Sequence, residues 1–450
     1  MAKMKPHFKI AKLDTPADLR NALRKYREEV PVSDSMDALK HEVFLNGRTL
    51  PNSIALHPIE GKDANTDGSP SAVTMRRYIE KAEQGAAVIW FEAAAVTEDG
   101  RDSGHQLWIR RENIDGFKKL TEAADEACLR KNGFKPYKVI QLTHSGRKSK
   151  DINGNPKPLT VVENPYLDTV MGKAEVVTDE FLDNLQMAVI DAAELAREAG
   201  FDAVDVKLCH EYLMKETMFA FKRPGRYGGP LENRFRFLLG AIDGIRSKTR
   251  GSIDITVRLN AYDSVPYPYG WGMKPEEGVM QDDQAEVDIL LDELEKRGVE
   301  LINLSAASPS CYPENFGYLS SYIDDVEIDP FRGEAHLLKV TYELRQKHPR
   351  LRFISTGLAS YAQFAPYVGA GGIAEGWFDL AGFGRNALAD SQFVPNILKK
   401  GEVDGSRLCM RCGNCYKLLE SDLPTGCPVR DPFYIIVNNI NKRINKRVGK

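Results

Sequence analysis

The chain has 450 residues, enough for one large domain with an appendage or for two to three ordinary domains. Its charges nearly balance, 61 Lys and Arg against 64 Asp and Glu for a net charge of −3, so composition points to neither nucleic acid nor a membrane surface. The start, MAKMKPHFKI, has no apolar signal core, and the longest apolar run, GAAVIWFEAAAV, is too short for a bilayer and carries Glu92. A cytoplasmic location is the expectation, in a reducing compartment where clustered thiols bind metal more often than they pair.

Residues 1–48 are charged and helix-prone (DTPADLRNALRKYREEV) and predict a helical extension without a core strand. From residue 49 onward, short β-branched runs alternate with longer stretches of helical period. Strands are predicted at 53–57, 86–93, 137–142, 202–208, 253–259, 300–305, 352–356 and 379–384. Eight such units through residue 402 predict an α/β fold, a (β/α)8 TIM barrel with insertions. Steady alternation favours closure over a doubly wound open sheet. Residues 403–450 form a separate small cysteine-bearing segment that ends in a basic tail, NNINKRINKRVGK. That tail is either a solvated end or a dock for an acidic redox partner.

Strands of a parallel barrel are buried on both faces and should be nearly all apolar. In DAVDVKL, alternation sets Asp205 and Lys207 on the face opposite Val204, Val206 and Leu208. The same logic isolates Arg258 in TVRL and Gln141 in VIQL. Inward charges are costly unless they are met. A structural Asp205–Arg258 ion pair is one reading; polar groups on three strands favour a polar ligand, near the C-terminal strand ends where barrel active sites are built.

Four of the seven cysteines stand in CMRCGNCYKLLESDLPTGC. Cys409, Cys412 and Cys415 have C-x2-C-x2-C spacing, and Cys427 follows after eleven residues, just before Pro428. Three close thiolates and one distant one suit the corners of a [4Fe–4S] cube. Structural zinc usually takes two C-x2-C knuckles, and no second knuckle is present.

The stretches IQLTHSGR (140–147), HEYLMKETM (210–218), RYGGPLENRFRFLLGAID (226–243) and GFGRNALAD (382–390), with RRYIEKAEQGAAVIWFEAAAVTEDGR (76–101), together resemble the old yellow enzyme family over roughly 50–430. The cysteine window resembles that family's iron–sulfur branch: 2,4-dienoyl-CoA reductase, bile-acid and steroid enoate reductases, and trimethylamine dehydrogenase. The resemblance implies an FMN- and [4Fe–4S]-dependent ene-reductase that reduces the activated C=C bond of a small unsaturated carbonyl substrate. It places Gln141 and Arg258 on the flavin ring, Pro58, Ile59, Glu60 and Ala93 beside it, and Gly357, Gly384 and Arg385 around its phosphate. His210 would draw charge from the substrate carbonyl and Tyr212 would give the proton.

Two positions depart from the family pattern. Lys207 replaces a histidine; it would polarise the carbonyl, pair with a carboxylate and leave His210 alone, or point outward. Glu60 stands where a small residue is common, and either tunes the flavin or turns away. The aromatic loop AYDSVPYPYGWGMK (261–274) is either a platform for a flat substrate or an exposed turn. No G-x-G-x-x-G follows a strand and opens a helix, and GAGG (369–372) reads as a helix C-cap. The implied electron donor is therefore NAD(P)H or a separate flavin reductase or ferredoxin-like partner. An amine dehydrogenase with the same cofactors and an electron-transfer subunit without substrate chemistry are the alternatives. A homo-oligomer is compatible with either.

Overall fold

A computed structural model describes residues 10–25, 27–151, 153–308 and 330–447. Eight parallel strands are present where they are predicted, with ends displaced by at most two residues: β1 Ile54–Leu56, β2 Val88–Ala95, β3 Tyr137–Thr143, β4 Ala203–Leu208, β5 Asp254–Asn260, β6 Leu301–Ser305, β7 Arg352–Ile354 and β8 Ala381–Phe383. The order β7-β6-β5-β4-β3-β2-β1-β8 leaves only β7 and β8 to be joined. A parallel bridge between Ile354 and Leu380 joins them, with Leu380 N donating to Phe353 O at 3.1 Å and Ser355 N to Leu380 O at 3.0 Å. The sheet is a closed (β/α)8 barrel.

Crossover helices cover the outside for reasons visible in their sequences. Asp179–Glu198 begins with Thr178, whose side chain accepts from Phe181 N, and has Asp179 and Glu180 in its first turn, where the helix dipole favours acids. Its buried Leu182, Leu185, Val189, Ala193 and Ala196 recur every three to four residues, forming one stripe. That stripe serves β3 and β4, and the helix also packs on its neighbour Leu231–Thr249. Ala72–Glu83 starts with a capping box between Ser71 and Thr74.

The floor of the barrel differs from expectation. Residues 43–50 form a hairpin, Val43–Leu45 against Arg48–Leu50, turning through Asn46 and Gly47, both at positive φ. Val43, Leu45 and Leu50 cluster with Ala55, Val88, Trp90 and Val139 and close the N-terminal end. Three-residue strands are too short for alternation to register, which is why the extension reads as strandless. The helix Pro16–Lys25 is present as predicted and buries Leu19 and Leu23.

In β2 the register shifts between Phe91 and Ala93. This bulge accommodates Glu92, whose carboxylate accepts from Gly61 N at 2.6 Å and pairs with Arg77, itself bound to Asp63 at 2.9 Å. The charge inside the most apolar strand is thus satisfied by the loop after β1 and the helix Ala72–Glu83. Among the described residues no helix is long and apolar enough to cross a membrane.

Candidate active site

Polar side chains occupy the barrel interior in levels above the apolar floor. At the middle level Asp205 is fully buried and accepts from Trp90 Nε1 at 2.9 Å, Gln141 Nε2 at 2.5 Å and the Arg258 backbone N at 2.7 Å. Burial pushes its carboxyl up to about 6 against these three hydrogen bonds. Asp205 is therefore held by hydrogen bonds from three strands, and its bond to Arg258 is to the backbone. The Arg258 side chain extends past it toward the mouth, 8% exposed, with Nε buried and without a hydrogen-bond partner. Beside it, His57 contacts Ser355 O at 3.0 Å and Asn303 at 3.3 Å; desolvation and then the Arg258 charge drive it down to about 3, so it is neutral.

At the mouth, Lys207 ends β4 pointing inward, 2% exposed, with Nζ 3.1 Å from Glu60 Oε1 and 3.2 Å from the Tyr212 ring centre. Tyr212 donates its hydroxyl to the same Glu60 oxygen at 2.6 Å. Of the three geometries open to Lys207, the structure has the carboxylate pair, and Glu60 turns toward the site. Burial would raise Glu60, but Lys207 and the Tyr212 hydroxyl hold it at about 2, so it is a carboxylate. Burial and then the Glu60 charge raise Tyr212 well above its ordinary value, so it keeps its proton. His210 lies across the mouth, with Nε2 2.9 Å from Ser305 Oγ. Desolvation followed by Arg258 and Lys207 lowers it well below 6.5, which leaves a neutral imidazole. The chain reaches it through two consecutive left-handed residues, His210 at φ 62° and Glu211 at φ 55°. Such backbone is strained for side-chain-bearing residues and aims them tightly.

Pro58 and Ile59 lead from β1 to Glu60, and Ala93 lies on β2 beside Gln141 in register. A β-carbon on Gly384 would lie 3.5 Å from Ile59 and 3.6 Å from His57, so the turn after β8 runs close to the end of β1. Gly357, at φ 95°, follows β7, and a β-carbon there would overlap Glu334 Oε2. Glu334 also accepts from Ser360 Oγ at 3.0 Å; burial raises it to about 8 even though the Arg385 and Arg411 charges oppose this. A carboxyl group thus occupies the place beside Gly357 and Arg385 where a phosphate is expected.

The four clustered cysteines are free thiols that line one pocket with Arg385, Leu388 and Ala389. Arg411 N lies 3.4 Å from Cys409 Sγ, and Asn414 Nδ2 lies 3.5 Å from Cys412 Sγ. Burial pushes Cys415 up to about 11. No acid lines this pocket. Among the described residues, no three His, Cys, Asp or Glu side chains are placed to hold a metal ion.

The loop 261–274 is largely buried and is not an exposed turn, with Tyr267 and Tyr269 left partly exposed. Trp271 is fully buried and donates to Asn260 O at 2.9 Å, while Asp263 pairs with Lys215. Several site residues escape the sequence reading. Asn303 and Ser305 sit at inward positions of LINLS and could have been found by the alternation that found Arg258. His57, in step with Ala55 in SIALH, carries the same signal, whereas Glu334 carries none.

A model of the NADH:flavin oxidoreductase / NADH oxidase family matches residues 44–282, more than half of the chain, and the chain belongs to that family. NADPH dehydrogenase of Bacillus pumilus is 32% identical over 222 residues, covering 48% of this chain and 62% of that protein. NADPH dehydrogenase of Bacillus subtilis is 31% identical over 227 residues, covering 49% and 63%. The chain therefore spans somewhat under two thirds of the curated relatives it matches. Among solved structures, 2-naphthoyl-CoA reductase in complex with 2-naphthoyl-CoA superposes with a TM-score of 0.72 at 18% identity, covering 89% of this chain and 57% of that one. Histamine dehydrogenase from Rhizobium sp. 4-9 gives 0.67 at 19%, covering 89% and 53%, and morphinone reductase gives 0.57 at 19%, covering 82% and 93%. At these identities the likeness is one of fold.

Proposed function

We propose that the protein is an FMN-dependent ene-reductase carrying a [4Fe–4S] cluster, acting on an activated C=C bond conjugated to a carbonyl. The observation that carries this reading is the buried Tyr212 hydroxyl, kept protonated beside neutral His210 at the barrel mouth. FMN fits the residues present: the unpartnered Arg258 Nε is a donor in search of an acceptor, and Gly357 with Arg385 can cradle a phosphate once Glu334 turns away. When bound, a reduced flavin supplies hydride. Neutral His210 donates a hydrogen bond to the substrate oxygen as negative charge gathers there. Tyr212 releases its proton to the α-carbon, exchanging its bond with Glu60 for one with substrate. Lys207, fixed by Glu60 against the ring, favours the tyrosinate that this leaves. The same Lys207, with Lys148 5.3 Å from the Tyr212 ring centre, disfavours a cationic amine as substrate.

For the cysteine segment, the donor set supports iron. Four thiols without a carboxylate suit a soft site, and N–H groups close to two sulfurs suit a cluster's negative charge. Electrons would come from NAD(P)H or a redox partner.

Anaerobic reduction followed by mixing with enones, enoates and enoyl thioesters tests the catalytic reading. Tyr212→Phe should slow substrate-driven flavin reoxidation about a hundred- to ten-thousand-fold and leave flavin reduction unchanged. Reoxidation at the parent rate would reject it. Anaerobically purified protein should carry about four irons per chain; one zinc and negligible iron would reject the cluster.

A further inference from the structure

A second cavity, of about 380 Å³, opens between the helix Ala72–Glu83, the turn after β8 and the C-terminal segment. It shares Leu388, Ala389 and Arg430 with the wall of the cysteine pocket. Most charges around it are matched: Arg76 pairs with Glu80 and Asp431, Lys131 with Glu83, and Arg407 with Asp390. Two basic side chains have a nitrogen that is not: Lys81, which burial and then the Arg77 charge bring down to about 7, and Arg430 at Nε. Lys81 is 6% exposed; its Nζ lies 4.7 Å from the Tyr78 ring centre and has no hydrogen-bond partner. Arg430 Nε is also buried without one. On the same wall, Gln84 donates to Ala387 O at 3.0 Å while its Oε1 accepts nothing. Leaving such groups unmet is costly, and the cost falls most heavily on the charges.

Two basic donors and one acceptor facing one cavity define the complement of an oxyanion that still carries a hydroxyl. A carboxylate at neutral pH has no O–H to offer Gln84. A phosphate monoester, whose second ionisation lies near pH 6, does in part, and inorganic phosphate, which ionises higher, does so more. We propose that this cavity binds a phosphate group, with Lys81 and Arg430 as its cationic ligands and Gln84 accepting its hydroxyl. The group is either free phosphate or the monoester of a small metabolite.

Isothermal titration of the FMN-loaded protein tests this with inorganic phosphate in one arm and adenosine monophosphate in the other. Loading the flavin first fills the barrel's own phosphate cradle. Saturable binding is expected in at least one arm. Tighter binding of the nucleotide identifies an ester, and binding of inorganic phosphate alone identifies the free ion. Lys81→Met and Arg430→Gln should each weaken the interaction about tenfold or more, as expected for removing one partner of a buried charge contact, with flavin content unchanged. Arg430 is half-buried, so its variant carries the test if Lys81→Met fails to fold. No saturable binding in either arm, or unchanged affinity in either flavin-replete variant, overturns the proposal.

Discussion

Glu60 holds two different groups with one oxygen: it pairs with Lys207 and accepts from Tyr212. Its charge is one reason, after burial, that the Tyr212 hydroxyl resists ionisation. Glu60→Gln removes that charge and leaves Lys207 beside the ring, so the Tyr212 pKa should fall. Ultraviolet difference titration against Tyr212→Phe measures this; an unmoved pKa would show that burial alone governs the hydroxyl. Glu334 offers the opposite case. Burial raises its folded pKa to about 8 from the ordinary 4.5, so between these values the folded state holds a proton that the unfolded state has lost. The resulting stability is complete below 4.5 and disappears as pH rises through about 8. In flavin-free protein, Glu334→Gln should therefore gain thermal stability over the parent progressively across that window. A difference in Tm that is flat with pH would contradict it. Because the carboxyl group sits where phosphate is expected, Glu334→Ala, which empties that place, should bind FMN more tightly.

At the scale of elements, the C-terminal segment is joined to the barrel mouth by a few specific links. Asp422 accepts from Lys62 at 2.8 Å and pairs with Lys150; Thr425 N donates to Gly61 O at 2.7 Å; and Arg76 pairs with Asp431 at 2.8 Å while lying 5.2 Å from the Phe433 ring centre. Gly61 follows Glu60 directly, so the cysteine segment docks on the loop that carries Glu60. Lys62 is 9% exposed at its side chain, and loss of Asp422 would leave it only Asp102 at 3.5 Å. Asp422→Ala should make the segment the first part cut by a protease and lower iron retention, with the barrel's unfolding transition in place. Equal protease resistance and full iron would mean that the remaining links suffice.

For the whole molecule, the seam between β7 and β8 is the weakest part of the closure, with two short strands joined by a bridge. At Gly382 on β8, an added β-carbon would overlap both His57 Nε2 and Ser355 O. One of those contacts is backbone, so the seam itself must shift. Gly382→Ala should cost about 1–3 kcal/mol, the usual penalty for overpacking, as measured by denaturant unfolding of the flavin-loaded protein. A loss within error would show that the seam yields freely.

Alternation of β-branched and helical stretches specifies parallel strands with crossover helices, and eight units favour a barrel, while closure itself is seen only at the seam between β7 and β8. The inward direction of Lys207, Gln141 and Arg258 follows from a period of two, and the cysteine window is legible because its spacing is local. These features depend on neighbours in the chain, which a sequence displays directly. Whether Lys207 meets a carboxylate, and which one, depends on residue 60, which lies far away in the chain and is brought near only when β1 and β4 close into one barrel. Glu334 reaches the turn after β7 from a helix whose pattern marks that position as no different from a solvated one. Short hairpin strands gain their meaning from the floor they cover. Local periodicity is written residue by residue; contacts between loops at the barrel mouth are set by closure, and only the tertiary structure decides them.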